Sequence, residues 1–214
     1  MGKFSSMLAH ELRNPLSTIK ASASTIKDYE PDESKLELLN CIFEETERLS
    51  KLVEKMLNFS NPFDINKVNI DIKEFFFNME NGLIDLIGDS INLELIFKST
   101  IIFFEVDTIL LKNVITNICE NAAHAIKRGD IKDGSIRISV SKPAEYKLNI
   151  EIANNGQYIS KKERERIFEP FFSTDPQGFG LGLAIVKKII DLHQGKIEVE
   201  SNKKWTTFNI ILEY

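Results

Sequence analysis

A histidine, a carboxylate and an amide lie close together near the start of the chain, in the run from His10 to Pro15. At about 100° per residue, His10 points away from the apolar stripe of its predicted helix, where a substrate can reach it. Glu11 can accept the Nδ1 proton and leave Nε2 as a nucleophile, and Asn14, one turn on, can position a water. Pro15 removes a helical hydrogen bond and predicts a kink. The alternative interpretation is a solvated surface histidine before an incidental proline.

Two amides one helical turn apart form a second candidate site. Asn117 and Asn121 project from one face of a predicted helix, and apolar residues occupy the opposite face. A pair of amides can hold a hydrated Mg²⁺, which keeps most of its waters and takes few protein oxygens. His124, about one turn further on, is placed to meet a phosphate. The alternative is a polar helix face that is merely solvated.

Three glycines in five residues open a later predicted helix, in the segment from Gly178 through Gly180 to Gly182. Glycines let the backbone approach an anion closely, and a helix N-terminus offers N–H groups and the positive end of a dipole. The segment is neither a Rossmann fingerprint, because position 183 is Leu, nor a P-loop, which needs Gly-Lys-Ser/Thr. A flexible loop is the alternative interpretation.

The first 60 residues predict two long helices. Apolar residues recur every three or four positions from Phe4 to Ile26 and again from Leu39 to Met56. A break at residues 30–32, with Asp32 or Ser34 as an N-cap, makes the two helices antiparallel neighbours. Since two helices cannot cover both apolar stripes, we predict a homodimer through residues 4–60 that forms a four-helix bundle.

The remaining residues mix helix and strand patterns after a linker at residues 61–66. The fold class predicted for the whole chain is α+β, with an α/β sandwich in residues 67–214 in which helices cover one face of a sheet. The expected helices are Asp71–Ile87, a helix capped by Asp107 and running to Lys127, and Leu181–His193; the expected strands are Leu93–Phe97, Ile101–Val106, Ser135–Ser141, Lys147–Ala153, Lys196–Glu200 and Thr206–Leu212.

The composition excludes several classes of protein. The chain has 214 residues, 43% of them hydrophobic and 28% charged, which is typical of a folded globular protein. A net charge of −5 argues against a nucleic-acid partner. The 2 cysteines, Cys41 and Cys119, make neither a disulfide framework nor a zinc site and suit a reducing compartment. No apolar run is long enough to span a membrane, so we expect no membrane contact from this fragment.

Taken in order, these segments resemble the catalytic core of a two-component sensor histidine kinase. The run from His10 resembles the H box of that family, and Asp107–Ala125 resembles its N box. Asn154-Asn155-Gly156 resembles the G1 box, Phe168–Phe172 the F box and Gly178–Leu183 the G2 box. The resemblance covers nearly the whole chain, with residues 1–60 as the dimerisation and phosphoacceptor hairpin and residues 67–214 as a Bergerat-type ATP-binding domain.

The resemblance implies the site residues and the partners. ATP is expected to bind through Asn117, Asn121, His124, Asn154, Gly156, Gly178, Gly180, Leu181 and Gly182, with Mg²⁺ on Asn121 and Asn117. His10 is expected to take the γ-phosphate while Glu11 takes the proton, and to pass the phosphoryl group to an Asp of a response regulator receiver domain. Glu11 and Asn14 fit the pattern that supports the reverse, phosphatase activity in the family. A need for ATP implies a cytoplasmic location for this part of the protein.

Three residues depart from the family pattern. Asn154 stands where an Asp usually accepts a hydrogen bond from adenine, and an amide can rotate and donate instead. Tyr158 replaces a glycine, and Asp175 in the predicted mobile lid at residues 158–178 replaces a basic residue. These departures favour an alternative, a phosphatase-biased or catalytically weak kinase with reduced nucleotide binding. A related ATPase of the chaperone or mismatch-repair type, or a scaffold, is the other alternative.

Overall fold

The chain divides into two compact units, Met1–Phe63 and Asp64–Tyr214. The structure, a computed structural model, describes residues 16–27, 32–60, 64–99, 102–175 and 178–213. No helix of these described segments is long and apolar enough to cross a membrane.

The first unit is an antiparallel pair of helices, α1 (residues 16–27) and α2 (Glu33–Ser60). Asp32 caps α2, because its Oδ1 accepts the backbone N–H of Lys35 at 3.4 Å. Lys20 of α1 forms an ion pair with Glu47 of α2 and lies 5.0 Å from the centre of the Phe43 ring. These contacts confirm the expected antiparallel pairing, in which α1 packs along α2.

The apolar seam of α2 splits into a buried row and an exposed row. Leu39, Thr46 and Val53 recur every seven residues and are 8%, 3% and 6% exposed. The second row, with the same spacing, consists of Ile42, Leu49 and Met56, which are 44%, 45% and 39% exposed. On α1, Ile19 and Ile26 are also exposed. The pairing of α1 with α2 therefore leaves one apolar stripe of the described helices in solvent.

The second unit contains the strands and the remaining helices. Its elements are β1 (Val68–Asp71), α3 (Ile72–Ile87), β2 (Asn92–Phe97), β3 (Phe103–Val106), α4 (Thr108–Arg128), β4 (Ser135–Ala144), β5 (Lys147–Asn154), α5 (Lys161–Arg164), α6 (Gly182–Leu192), β6 (Lys196–Ser201) and β7 (Thr206–Glu213).

Two aspartates start the long helices of this unit. Oδ1 of Asp71 accepts the backbone N–H groups of the first turn of α3, and Oδ1 of Asp107 does the same for α4. Each therefore satisfies donors that a helix N-terminus otherwise leaves without partners. Each helix and strand expected in this unit is present among the described residues, and Ile101, at the start of one expected strand, lies outside them. The strand β1, which no sequence signal predicted, pairs antiparallel with β3 in a separate two-stranded sheet.

The main sheet has five strands in the order β2-β4-β5-β7-β6, and helices cover one of its faces. β2 and β4 are parallel, and the other neighbours are antiparallel. Alternate residues are buried along β5, and Leu148, Ile150 and Ile152 are 0% exposed. The opposite face carries charged pairs such as Arg137 with Glu94 at 2.7 Å. This alternation confirms the expected layer of sheet and helices.

Candidate nucleotide-binding site

The phosphoacceptor candidates His10, Glu11 and Asn14 lie outside the described residues, as do Pro15 and residues 61–63 of the expected linker. The site residues that the structure describes therefore all lie in the second unit.

The two amides of α4 share a face that is half-buried, as their spacing predicts. Cys119, on the opposite side of the helix, is fully buried. Nδ2 of Asn117 donates to the backbone oxygen of Asn113 at 2.9 Å. The Oδ1 of Asn117 therefore points away from Asn113. Among the described residues, the Asn121 side chain has no hydrogen-bond partner, so both of its polar atoms are available to a ligand.

The start of α6 lies against these amides. A Cβ atom built on Gly182 would lie 2.9 Å from the Asn117 Oδ1 and 3.8 Å from the Asn121 Nδ2. The residue before it, Leu181, makes no side-chain hydrogen bond to cap the helix. Since the Leu181 side chain is 1% exposed, only its backbone can face a ligand. The uncapped N–H groups of α6 and the two amides of α4 therefore lie side by side.

The loop after β5 packs directly on α4. The backbone N–H of Gln157 donates to the backbone oxygen of Ala125 at 3.1 Å. A Cβ atom on Gly156 would lie 2.8 Å from the backbone of Ala125 and of Ile126. Gly156 is thus required for close contact between this loop and α4, which is a different role from the conformational freedom that glycine often provides.

Asn154 is held in one amide orientation. Its side chain is 2% exposed; Oδ1 accepts the N–H of Gly156 at 3.0 Å, and Nδ2 donates to the backbone oxygen of Thr206 at 3.4 Å. Rotating the amide would place two donors together and two acceptors together. The rotation considered from the sequence is therefore opposed by both backbone partners, and Oδ1 keeps a lone pair with which to accept a further hydrogen bond.

The segment from Phe168 to Phe172 contacts the glycine-rich segment through its backbone. The N–H of Phe171 donates to the backbone oxygen of Gly180 at 2.8 Å. Gly180 has φ of 65°, and a Cβ atom there would lie 2.5 Å from the backbone of Phe171 and Phe172. A Cβ atom on Gly178 would lie 2.6 Å from the Ser173 Oγ. Close packing and, at Gly180, a positive φ explain these glycines.

His124 and Asp175 face one another across the site. The His124 Nδ1 and the Asp175 Oδ2 are 3.8 Å apart, and the His124 side chain is 65% exposed. A phosphate bound beside His124 would have to compete with this carboxylate. Tyr158, which also departs from the family pattern, is 51% exposed.

Arg128, in the last turn of α4, joins the loops around the site. Its Nε donates to the Gln157 Oε1 at 2.8 Å, and its Nη1 reaches the Thr174 Oγ1 at 3.5 Å. Nearby, Ser160 and Glu163 form a capping box on α5, and hydrogen bonds from Ser160 lower the pKa of Glu163. The sequence signal for this role of Arg128 was a basic residue in the last turn of α4, the helix that carries Asn117 and Asn121.

These contacts bring together every nucleotide-site segment expected from the sequence. α4 carries Asn117, Asn121 and His124, the loop after β5 packs on its later turns, and α6 begins beside its middle turn. Buried Cys119 is excluded from chemistry, because burial raises the pKa of its thiol to about 12. The arrangement combines free amide atoms, an uncapped helix N-terminus and a buried hydrogen-bonding residue, which together suit a metal-bound nucleotide.

The domain families agree with this geometry. Residues 106–214 match the histidine kinase-, DNA gyrase B-, and HSP90-like ATPase family. Residues 1–62 match the His Kinase A (phospho-acceptor) domain. The chain belongs to this ATPase family, and the two domains in this order make it a two-component histidine kinase catalytic core.

Similar proteins match nearly the whole of this chain. The sensor histidine kinase ZraS of Klebsiella oxytoca is 30% identical over 203 residues, which are 94% of this chain and 43% of that protein. The sensory histidine kinase/phosphatase NtrB of Rhizobium meliloti (strain 1021) is 31% identical over 97% of this chain and 57% of its own length. The chain thus spans about half the length of these relatives.

Two solved structures have the same fold. Full-length ShkA in complex with AMPPNP superposes with a TM-score of 0.83 at 21% identity, over 99% of this chain and 46% of that one. The histidine kinase ThkA in complex with the response regulator protein TrrA gives a TM-score of 0.68 at 27% identity, over 99% of this chain and 61% of that one.

Proposed function

We propose that this chain binds Mg-ATP in its second unit and transfers the γ-phosphoryl group to His10 of its first unit. The observation that carries the proposal is the meeting of the uncapped start of α6 with Asn117, beside the unpartnered amide of Asn121. The family assignment supports ATP as the ligand, and a similar structure was solved with the ATP analogue AMPPNP.

The two amides fit a magnesium ion. Mg²⁺ prefers hard oxygen ligands and takes few of them from protein, and Asn121 and Asn117 each present an amide oxygen. The described residues contain no cluster of three or more acidic, histidine or cysteine side chains that would hold a metal instead. When bound, the ion neutralises charge on the phosphates. The amides, the N–H groups at the start of α6 and His124 orient the phosphates, while Asn154 accepts a hydrogen bond from the base.

In the proposed transfer, Nε2 of His10 attacks the γ-phosphorus in line. The bond between that phosphorus and the β–γ bridging oxygen breaks, ADP leaves, and Glu11 takes the imidazole proton. The phosphoryl group then passes to an Asp of a response regulator receiver domain. A similar kinase was solved with its response regulator bound, which supports a partner of this kind.

We further propose that the chain forms a homodimer through residues 4–60. The exposed row of Ile42, Leu49 and Met56, with Ile19 and Ile26 on α1, is too regular for a solvated helix face. Leu49→Glu should shift the protein from dimer to monomer in light scattering, because it places a charge within this row. Lys51→Glu, at an exposed polar position of the same helix, is the matched control and should remain dimeric. A Leu49→Glu dimer would contradict the proposal.

A phosphatase-biased kinase is the second candidate, and Asp175 favours it. Its carboxylate lies 3.8 Å from the His124 imidazole. The negative charge of Asp175 there weakens the attraction of His124 for a phosphate. The relative NtrB is named a kinase/phosphatase, and Glu11 with Asn14 suits activation of a water. An ATPase without a phosphoacceptor is less well supported, because residues 1–62 match a phospho-acceptor domain.

Labelling with γ-labelled Mg-ATP tests the proposal. The wild-type chain should gain acid-labile, alkali-stable label, and His10→Gln should lose the label but still bind ADP. Asn121→Ala is the matched variant, and it should lose both label and ADP binding. Label that persists in His10→Gln would exclude His10 as the acceptor. Steady hydrolysis without label would favour an ATPase, and dephosphorylation of a phosphorylated receiver without label would favour the phosphatase.

A further inference from the structure

A buried histidine joins the end of α6 to the start of α4. The backbone N–H of Asp107 donates to the His193 Nε2 at 3.2 Å, and the His193 Nδ1 donates to the backbone oxygen of Ile189 at 2.9 Å. His193 is 3% exposed and Asp107 is 6% exposed. These two hydrogen bonds give His193 a structural role at the junction of the two helices.

The hydrogen bonds define the tautomer. A backbone N–H can only donate, so the His193 Nε2 must be unprotonated to accept from Asp107, and Nδ1 carries the proton. Protonating Nε2 would set two donors against each other in a buried place. Burial is the main cause that lowers the pKa of His193, and it therefore favours the neutral ring.

The Asp107 carboxylate extends this junction to the connecting segment. Its Oδ1 accepts the N–H groups of Ile109 and Leu110, both at 3.0 Å, and caps α4. Its Oδ2 accepts the N–H of Asn66 at 2.8 Å, just before β1. One buried aspartate thus connects the segment that enters the second unit, the start of α4 and, through His193, the end of α6.

The same two helices meet again at the candidate nucleotide site. Asn117 lies ten residues after Asp107 on α4, and Gly182 lies eleven residues before His193 on α6. At 1.5 Å per residue, the two contacts are about 15 Å apart along the helices. Since the start of α4 meets the end of α6, the helices are antiparallel, and two contacts are enough to set the offset between them.

We propose that neutral His193 is a positioning residue, which holds α6 against α4 so that Gly182 stays beside Asn117. The inference rests on the proposed nucleotide site, because its consequence is for ligand binding there. His193 touches no ligand itself. Its protonation would release the Asp107 N–H and let α6 shift along α4, which would move the uncapped N–H groups away from the amides.

The charged groups that face His193 act in opposite directions. Lys67, in the segment before β1, disfavours the protonated ring, and the Asp107 carboxylate favours it. Burial is the largest of these effects, so the folded-state pKa is below the ordinary value. The stabilising effect of the neutral ring is therefore fully present above about pH 6.5 and falls as the pH drops below that value.

The test compares the full chain with His193→Gln and His193→Ala. Gln supplies a neutral acceptor that cannot be protonated in this range, whereas Ala supplies none. At about pH 7.5 the His193→Ala variant should bind ADP about three- to tenfold more weakly than wild type, which corresponds to one hydrogen bond, and His193→Gln should bind nearly as well. At about pH 5.5 the wild type should weaken toward His193→Ala, and His193→Gln should keep its affinity.

Two readouts without nucleotide accompany the binding assay. The ¹⁵N shifts of the His193 ring should show the Nδ1–H tautomer, and the urea midpoint of the wild type should fall more between those pH values than that of His193→Gln. The proposal would be overturned if the ADP affinities and urea midpoints of wild type and His193→Gln depended on pH in the same way. An Nε2–H tautomer of His193 would also overturn it. If wild type binds no ADP at either pH, the proposed function fails, and the tautomer with the urea midpoints still decides whether His193 joins the helices.

Discussion

Gly156→Ala tests whether the loop after β5 must touch α4. The new Cβ atom would lie 2.8 Å from the Ala125 carbonyl carbon and the Ile126 nitrogen, and 2.9 Å from the Ala125 Cβ. Ordinary contacts begin near 3.4 Å, and two of these three atoms belong to the helix backbone. The loop or α4 must therefore move by about half an ångström or more, and the Gln157 hydrogen bond to Ala125 must lengthen. Overpacking of this kind costs about 1–3 kcal/mol, and the weakened hydrogen bond adds up to about 1 kcal/mol.

The matched control is Gly82→Ala, in the interior of α3. A Cβ atom there meets nothing within 4 Å, so the substitution should stabilise the protein by about 0.5–1 kcal/mol through helix propensity alone. The two variants should thus differ by roughly 2–5 kcal/mol in the free energy of unfolding, measured from urea midpoints at equal m. Gly156→Ala should also weaken ADP binding. If Gly156→Ala is as stable as Gly82→Ala, the close-contact argument is refuted.

Three further variants separate affinity from stability. Gly182→Ala directs a Cβ at the Asn117 Oδ1, 2.9 Å away, and should weaken Mg-ADP binding in calorimetry about tenfold, with an unchanged urea midpoint because an amide can rotate aside. Asp175→Asn removes the carboxylate beside His124 and should tighten ATP binding by up to about fivefold at low salt, an effect that added salt should diminish. Asp107→Ala removes the α4 cap and should lower the free energy of unfolding by about 1–2 kcal/mol, read from the urea midpoint.

The helices and strands were predictable where their signals are local. Asp71 and Asp107 precede apolar runs, and both cap the helices expected to follow them. β1 was missed because it has four residues, and its pairing partner β3 lies more than thirty residues further along the chain. A pairing of that separation leaves no periodic pattern in so short a segment.

The residues of the nucleotide site were predictable, but their contacts were not. The i, i+4 spacing of Asn117 and Asn121 already places both amides on one face. Nothing local indicates that Gly182 lies beside Asn117, or that His193 is buried against the N–H of Asp107. Nothing in the residues next to His193 indicates that its ring is buried, because that burial depends on the rest of the fold.

The glycines provide the clearest link between sequence and site. From the sequence, a mobile loop was an alternative interpretation of Gly178, Gly180 and Gly182. In the structure, Gly180 has a positive φ and lies against the backbone of Phe171 and Phe172. Gly182 lies against the Asn117 side chain. A segment selected only for mobility would not need a missing side chain at each close contact. The spacing of these glycines is therefore explained by the surfaces they approach, and side chains added there should displace ligand-binding groups before they disturb the core.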